Sequence, residues 1–304
     1  MKEPILLLSR YIKYRLFKIR IGLLRDEWNL VCPCGIGDTY IVCCLAREFI
    51  GHNKIDKLTI SVKQSHQGIP ILFRDSFSRV APLYESYLHA IGQFGGFGAG
   101  SAIVAHPSYT DQGLIRLLGV RDINLMDMYK ALLRIPHESP ISKPKIPVAV
   151  ASRARERFKR MNLPFGKTVI LAPEAVSSAA MPLPLWHRLS DRLKEAGFEV
   201  CTNCVDPNNV VPGTHAIFFP LEEAITMSEC AGWMISSRSG LCDLISSSAC
   251  RLTVLYRNQE WLSGTLYSIS NLNSMGLSHR AHELIVNDED ELDTTVERII
   301  DGAK

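Results

Sequence analysis

The chain has 304 residues, 46% of them hydrophobic and 21% charged, with a net charge of +3. That length suits two compact domains better than one core, the composition excludes general disorder, and so small a net charge gives no reason to expect a nucleic-acid partner. The charge is uneven, however: residues 1–25 carry Lys2, Arg10, Lys13, Arg15, Lys18, Arg20 and Arg25 against the single acid Glu3.

The first predicted element is a helix over this basic segment. Ile5, Leu8, Ile12, Leu16, Ile19 and Leu23 follow spacings of three and four residues and share one face, with Arg15 and Arg20 beside it. Such a stripe serves a docked helix or one lying on an anionic membrane surface. Ile5–Leu8 is too short for the apolar region of a signal peptide, and no apolar run approaches the ~20 residues of a membrane span. A cytoplasmic protein, peripheral on the inner face of the cytoplasmic membrane, is the expectation. The nine cysteines fit it as reduced core thiols, and Cys201 and Cys204, spaced CxxC, lack a second pair to complete a metal set.

Trp28–Pro33 reads as a strand, Gly35–Thr39 as a turn and Ile41–Ile50 as a helix. Lys57–Val62 and Ser101–His106 are further strands, with helices expected over Ala81–Ile91 and Asn124–Leu133. The glycine-rich stretch Phe94–Gly100 reads as a mobile loop that could close over an acceptor, since no helix follows it. Pro136, Pro140, Pro144 and Pro147 then mark a linker. Beyond it, Thr168–Ala172 is a strand and Leu185–Ala196 a helix stopped by Gly197. Strands at 198–203, 215–219, 233–236 and 252–256 follow, with helices at 221–232 and 240–249 among them.

Strand and helix alternate throughout, which implies an α/β protein with two Rossmann-like domains whose parallel sheets face a central cleft. The expected divisions are a basic helix at 1–25, an N-terminal domain at 26–140, a C-terminal domain at 141–290 and a final helix at 291–304. Ligands of open α/β sheets bind beyond the carboxyl ends of strands, so the loops at 35–39 and 236–240 are the candidate sites.

Gly35-Ile36-Gly37-Asp38-Thr39 departs from the dinucleotide fingerprint GxGxxG, because Tyr40 stands at the third glycine and Asp56 precedes the next strand. Asp38 is either a cap of the following helix or a base, and the spacing leaves both open. His66 and His106 sit near strand ends on the same side as Asp38 and, with Gly37 and Thr39, are candidates for an accessory part of the site, the alternative being ordinary surface or satisfied histidines. Ser236-Ser237-Arg238-Ser239-Gly240 gathers turn amides, hydroxyls and a guanidinium at a helix start, which suits a phosphate. Residues 173–181, with Glu174, form a second small-residue turn expected to lie beside it.

The stretch from Phe219 to Tyr256, together with GIGDTYIVCCLAREF and YKALLRIP, resembles the heptosyltransferase-type GT-B glycosyltransferases of family nine. The resemblance implies a metal-independent transfer from a nucleotide sugar to a saccharide acceptor, with no cofactor beyond that co-substrate, and direct displacement would invert the anomeric carbon. The acceptor would be a lipid-linked glycan of surface polysaccharide or lipopolysaccharide biosynthesis. It assigns Asp38 as catalytic residue and Ser239 and Gly240 to the donor phosphates, with Glu222 near the nucleotide. Arg238 stands where that family often has Asp, Asp243 where it often has His, and the usual lysine of the 173–181 loop is missing. Arg238, with Ser237 beside it, is therefore expected to supply the cation on the diphosphate. A sugar-nucleotide epimerase or hydrolase, or a non-catalytic binding module, would use the same architecture.

Overall fold

Short apolar runs bounded by glycine, proline or polar turns become the strands of two parallel sheets. The computed structural model describes residues 2–110, 115–176, 178–287 and 292–302. The chain divides into two units, Met1–Leu118 with Leu125–Lys145, and Gly119–Asn124 with Ile146–Lys304.

In the N-terminal unit the helix α1 (Lys2–Arg20) precedes β1 (Glu27–Cys32), the helix α2 (Ile36–Asn53), β2 (Lys57–Val62), β3 (Arg79–Pro82) and β4 (Ala102–Val104). Their order is β3-β2-β1-β4, all parallel, with Leu30 opposite Ile60 and Ile103. The chain winds one way from β1 to β2 and β3 and returns to place β4 on the other side. The carboxyl ends of β1 and β4 are thus a topological switch point.

Three expectations change here. The helix expected over Ala81–Ile91 is the edge strand β3 followed by a shorter helix, Leu88–Phe94. Pro82 can sit in β3 because an edge strand needs hydrogen bonds on one side only. The glycine-rich stretch is packed: Phe97 lies against the rings of Trp28 and Phe49, with the Arg134 guanidinium 4.0 Å from its centroid. A Cβ on Gly95 would come within 2.2 Å of the Ala102 carbonyl oxygen, so that glycine permits a close backbone approach.

The third change is in α1, which belongs to this unit rather than standing apart. Among its described side chains Tyr14 and Phe17 are buried and, with Ile21 just past its end, form a cluster with Val31, Ala81 and Ile91. Of the stripe expected to share a face, only Leu23 packs inward. It does so because the helix ends in a Schellman turn, with Gly22 at φ +62° and the Leu23 amide donating to Lys18 O at 2.8 Å. Beyond the turn, Arg79 bonds the carbonyls of Ile21 and Gly22 and the buried carboxylate of Glu27.

The C-terminal unit holds β5 (Thr168–Ala172), β6 (Glu199–Asn203), β7 (His215–Ile217), β8 (Gly232–Ser237) and β9 (Arg251–Arg257). A small antiparallel pair, β10 (Glu260–Trp261) and β11 (Gly264–Thr265), precedes β12 (His282–Val286). The main sheet is parallel in the order β12-β9-β8-β5-β6-β7, and its switch point lies between β5 and β8. The helix Leu183–Glu195 covers one face with Leu185, Trp186, Leu189 and Leu193, and the last helix, Leu292–Asp301, joins that core through Val296 and Ile299. The expected C-terminal segment 291–304 is therefore part of this unit, although residues 291, 303 and 304 lie outside the described ones.

The expected boundary at 140/141 moves to 145/146. The linker is held to the N-terminal unit, with the Ser142 amide on Cys44 O at 2.9 Å and the Lys145 amide on Leu72 O at 2.8 Å. All nine cysteines are free thiols, seven of them buried, as core residues would be. Burial raises the Cys201 thiol to about 12 and also raises Cys204, so the CxxC pair is protonated at neutral pH.

Candidate active site

Asp38 is the third residue of α2, at the carboxyl end of β1, and both readings of it have a structural basis. One carboxylate oxygen, Oδ2, accepts the Gly35 amide at 2.8 Å and so caps the helix. The other, Oδ1, accepts the hydroxyl of Tyr129 at 2.7 Å and faces His106 Nε2 at 3.8 Å. The side chain remains 22% exposed, so a ligand can reach it.

Tyr129 comes from the helix Leu125–Leu132 and is fully buried. Burial, with Asp38 adding to it, raises its phenol well above the ordinary range, and it stays a proton donor. Sequence reasoning did not single out this residue, although YKALLRIP contains it. His106 follows β4, across the switch point. Its Nδ1 accepts the Ser108 amide at 3.2 Å, which leaves the proton of the neutral ring on Nε2, toward Asp38. Burial lowers its pKa and Asp38 opposes the shift.

His66, after β2, is buried against Thr39, whose hydroxyl lies 3.3 Å from its Nδ1 and donates to Gly35 O at 3.0 Å. Burial and Lys63 lower the His66 pKa. Both therefore brace the turn, while Gly37 is buried in the first turn of α2. Cys34, Asp38 and His106 offer ligand atoms all within 4.8 Å of one another, a trio the linear spacing does not announce. It could hold a divalent ion once the Cys34 thiol, raised to about 12 by burial and Asp38, lost its proton.

In the C-terminal unit the loops after β5 and β8 do lie together: Ser178 Oγ donates to Arg238 O at 3.3 Å. Glu174 in the first loop accepts Asn209 Nδ2 at 2.6 Å. Glu222 is half-buried in the turn Leu221–Glu223, while its neighbour Glu223 is buried and paired with Arg157 at 2.7 Å.

The expected role of Arg238 is corrected. Its side chain is 6% exposed and forms a two-pronged ion pair with buried Asp243, at 2.7 and 3.2 Å. Nε donates to Ser270 O at 2.9 Å and Nη1 to Ser239 O at 2.6 Å. Burial works against its charge, but Asp243, with Tyr256 and Cys242 adding to it, outweighs this and the pKa is raised. A guanidinium committed to these partners braces the turn from beneath instead of reaching a phosphate. Ser237 is equally inaccessible, its Oγ buried without a hydrogen-bond partner. Ser239 and Gly240, by contrast, are half-exposed at the start of the helix Gly240–Ile245.

Solved structures share this architecture over nearly the whole chain. A glycosyl transferase of family 9 from Veillonella parvula DSM 2008 superposes with a TM-score of 0.61 at 14% identity, covering 92% of this chain and 93% of its own. The E. coli ADP-heptose LPS heptosyltransferase II gives 0.63 at 12% identity, covering 91% and 98%. The E. coli heptosyltransferase WaaC, solved with ADP, gives 0.56 at 12% identity, covering 91% and 100%. No protein-family model matches the chain, and no curated protein is similar to it in sequence. At these identities the likeness establishes the fold, two Rossmann-like domains of GT-B type.

Proposed function

We propose that this protein is a glycosyltransferase that moves a sugar from a nucleotide-sugar donor to a saccharide acceptor. The acceptor class that suits it is a lipid-linked glycan of surface polysaccharide or lipopolysaccharide biosynthesis, met in the cytoplasm at the inner face of the membrane. The observation that carries the reading is the Asp38 carboxylate, partly exposed at a switch point and oriented by the Gly35 amide and the Tyr129 hydroxyl. The GT-B fold supports it.

In this mechanism the acceptor hydroxyl attacks the anomeric carbon while its proton passes to Asp38. The bond from that carbon to the phosphate oxygen breaks, and the nucleoside diphosphate leaves with the electron pair. Direct displacement inverts the anomeric carbon. The amides of Ser239 and Gly240 serve the growing phosphate charge, and no metal step is needed. Glu174 and Glu222 are acceptors suited to ribose hydroxyls.

Asp38→Asn keeps the shape and, through its oxygen, the Gly35 amide, while its NH2 turns to the Tyr129 oxygen and donates where Asp38 accepted, and it cannot take a proton. Turnover is expected to fall by about 10²-fold or more, with donor affinity by calorimetry nearly unchanged. Transfer at the wild-type rate would reduce Asp38 to a helix cap. Product analysis on nucleotide sugars without acceptor separates this reading from an epimerase or hydrolase, and a thermal-shift series of nucleoside diphosphates, ADP among them, identifies the base.

A further inference from the structure

We propose that the outward face of α1 is a docking surface for an anionic lipid bilayer. The helix has two apolar stripes on opposite sides. Tyr14, Phe17 and Ile21 recur at spacings of three and four and are at most 6% exposed against the N-terminal unit. Ile5, Leu8, Ile12, Leu16 and Ile19, spaced three, four, four and three, lie half a turn away and are 48–74% exposed. Five aliphatic side chains in one solvent-facing row are beyond the single exposed hydrophobes that any surface carries.

The borders of the row name its partner. Arg15 lies on one side, with Arg20 and, one step further round, Lys13 on the other, and all three are exposed. Arg20 is held in place by the Tyr84 ring, 4.2 Å from its centroid. An apolar strip between cations is the pattern of a helix lying in a membrane interface, with aliphatic groups below the headgroups and cations among the anionic ones. No described helix is long and apolar enough to cross the bilayer, so contact is along the helix. A second copy of the chain fits less well, because a two-fold contact through this face brings the same cations together, and Glu3 is the only acid in residues 1–25 to offset them. The inference does not depend on the chemistry assigned to Asp38.

The test is co-sedimentation of full-length protein with phosphatidylcholine vesicles, with and without phosphatidylglycerol. Wild type is expected to pellet with the anionic vesicles, to be released by added salt, and to remain in solution with the neutral ones. Ile12→Glu combined with Leu16→Glu should weaken binding about tenfold or more. Its unfolding midpoint should not move, since both side chains are about half exposed, at 49% and 48%. Ile12→Trp reports on the same face separately, through a blue shift of its emission on anionic vesicles alone. Absence of pelleting by wild type overturns the proposal, as does equal pelleting of wild type and the double variant. So does a dimer in sedimentation velocity that the double variant dissociates while vesicle binding persists.

Discussion

Arg238 and Asp38 show how much the partners of a single residue decide. Removing the Arg238 side chain strips the buried Asp243 carboxylate of its two-pronged cationic partner, so Arg238→Ala is expected to cost about 3–5 kcal/mol in denaturant unfolding. Replacing the pair together, as Arg238→Met with Asp243→Leu, should recover most of that loss. A folded double variant should bind a nucleoside diphosphate as wild type does, and a large loss in calorimetry would return the guanidinium to the phosphate. Around Asp38 the informative change is Tyr129→Phe, which deletes one 2.7 Å hydrogen bond to a carboxylate. A charged hydrogen bond contributes about 1.5–3 kcal/mol, and this one should appear in turnover more than in donor affinity. A double-mutant cycle with Asp38→Asn checks that the two act together.

Elements in this chain are fixed in place by a few deeply buried positions. Phe17 is fully buried, and Phe17→Ala should destabilise the N-terminal unit by about 3–5 kcal/mol. Ile12→Ala on the opposite face should change stability by no more than about 0.5 kcal/mol, and thermal unfolding of the two variants measures the asymmetry of α1. Gly119–Asn124 provides a second case, because this short segment packs with the C-terminal unit although it precedes the linker. Gly119 has φ +82°, and a Cβ there would lie 2.6 Å from the Gly264 amide nitrogen. Gly119→Ala is therefore expected to cost more than about 1 kcal/mol, read in the same unfolding assay. Asn124, whose Nδ2 donates to Ser274 O at 3.0 Å, closes the segment.

Across the whole molecule, burial lowers the pKa of His66 and His106 in one unit and of His282 in the other, all below the ordinary 6.5. Below that value the unfolded chain binds more protons than the folded one, so stability rises with pH there. The contribution is complete above about 6.5 and is lost as pH falls toward the depressed values. Urea midpoints should therefore decline on acidification through this window, and the decline should be shallower in His66→Gln and His106→Gln. An unchanged slope in both variants would show that the imidazoles take up protons without disturbing the fold.

Much of this architecture was legible in the chain because it is written in local pattern. Lys57–Val62 and Thr168–Ala172 are strands at the boundaries expected of them, and Gly197 ends its helix at φ +83°. Other elements were hidden for local reasons too. The edge strand β3 is four residues long, and Val148–Arg160 is so dense in charge that Val150, Ala154 and Phe158 make only a narrow stripe. By itself the sequence determined two alternating α/β halves, a proline linker between them, and turns at two strand ends where ligands of such sheets bind. Only the tertiary structure decided which face of α1 is buried, which partner holds Arg238, and that Tyr129 and His106 meet Asp38. Periodicity states which side chains share a face but not what lies opposite. The hydrogen bond from Tyr129 crosses 91 residues of chain, and such distant partners are set by packing.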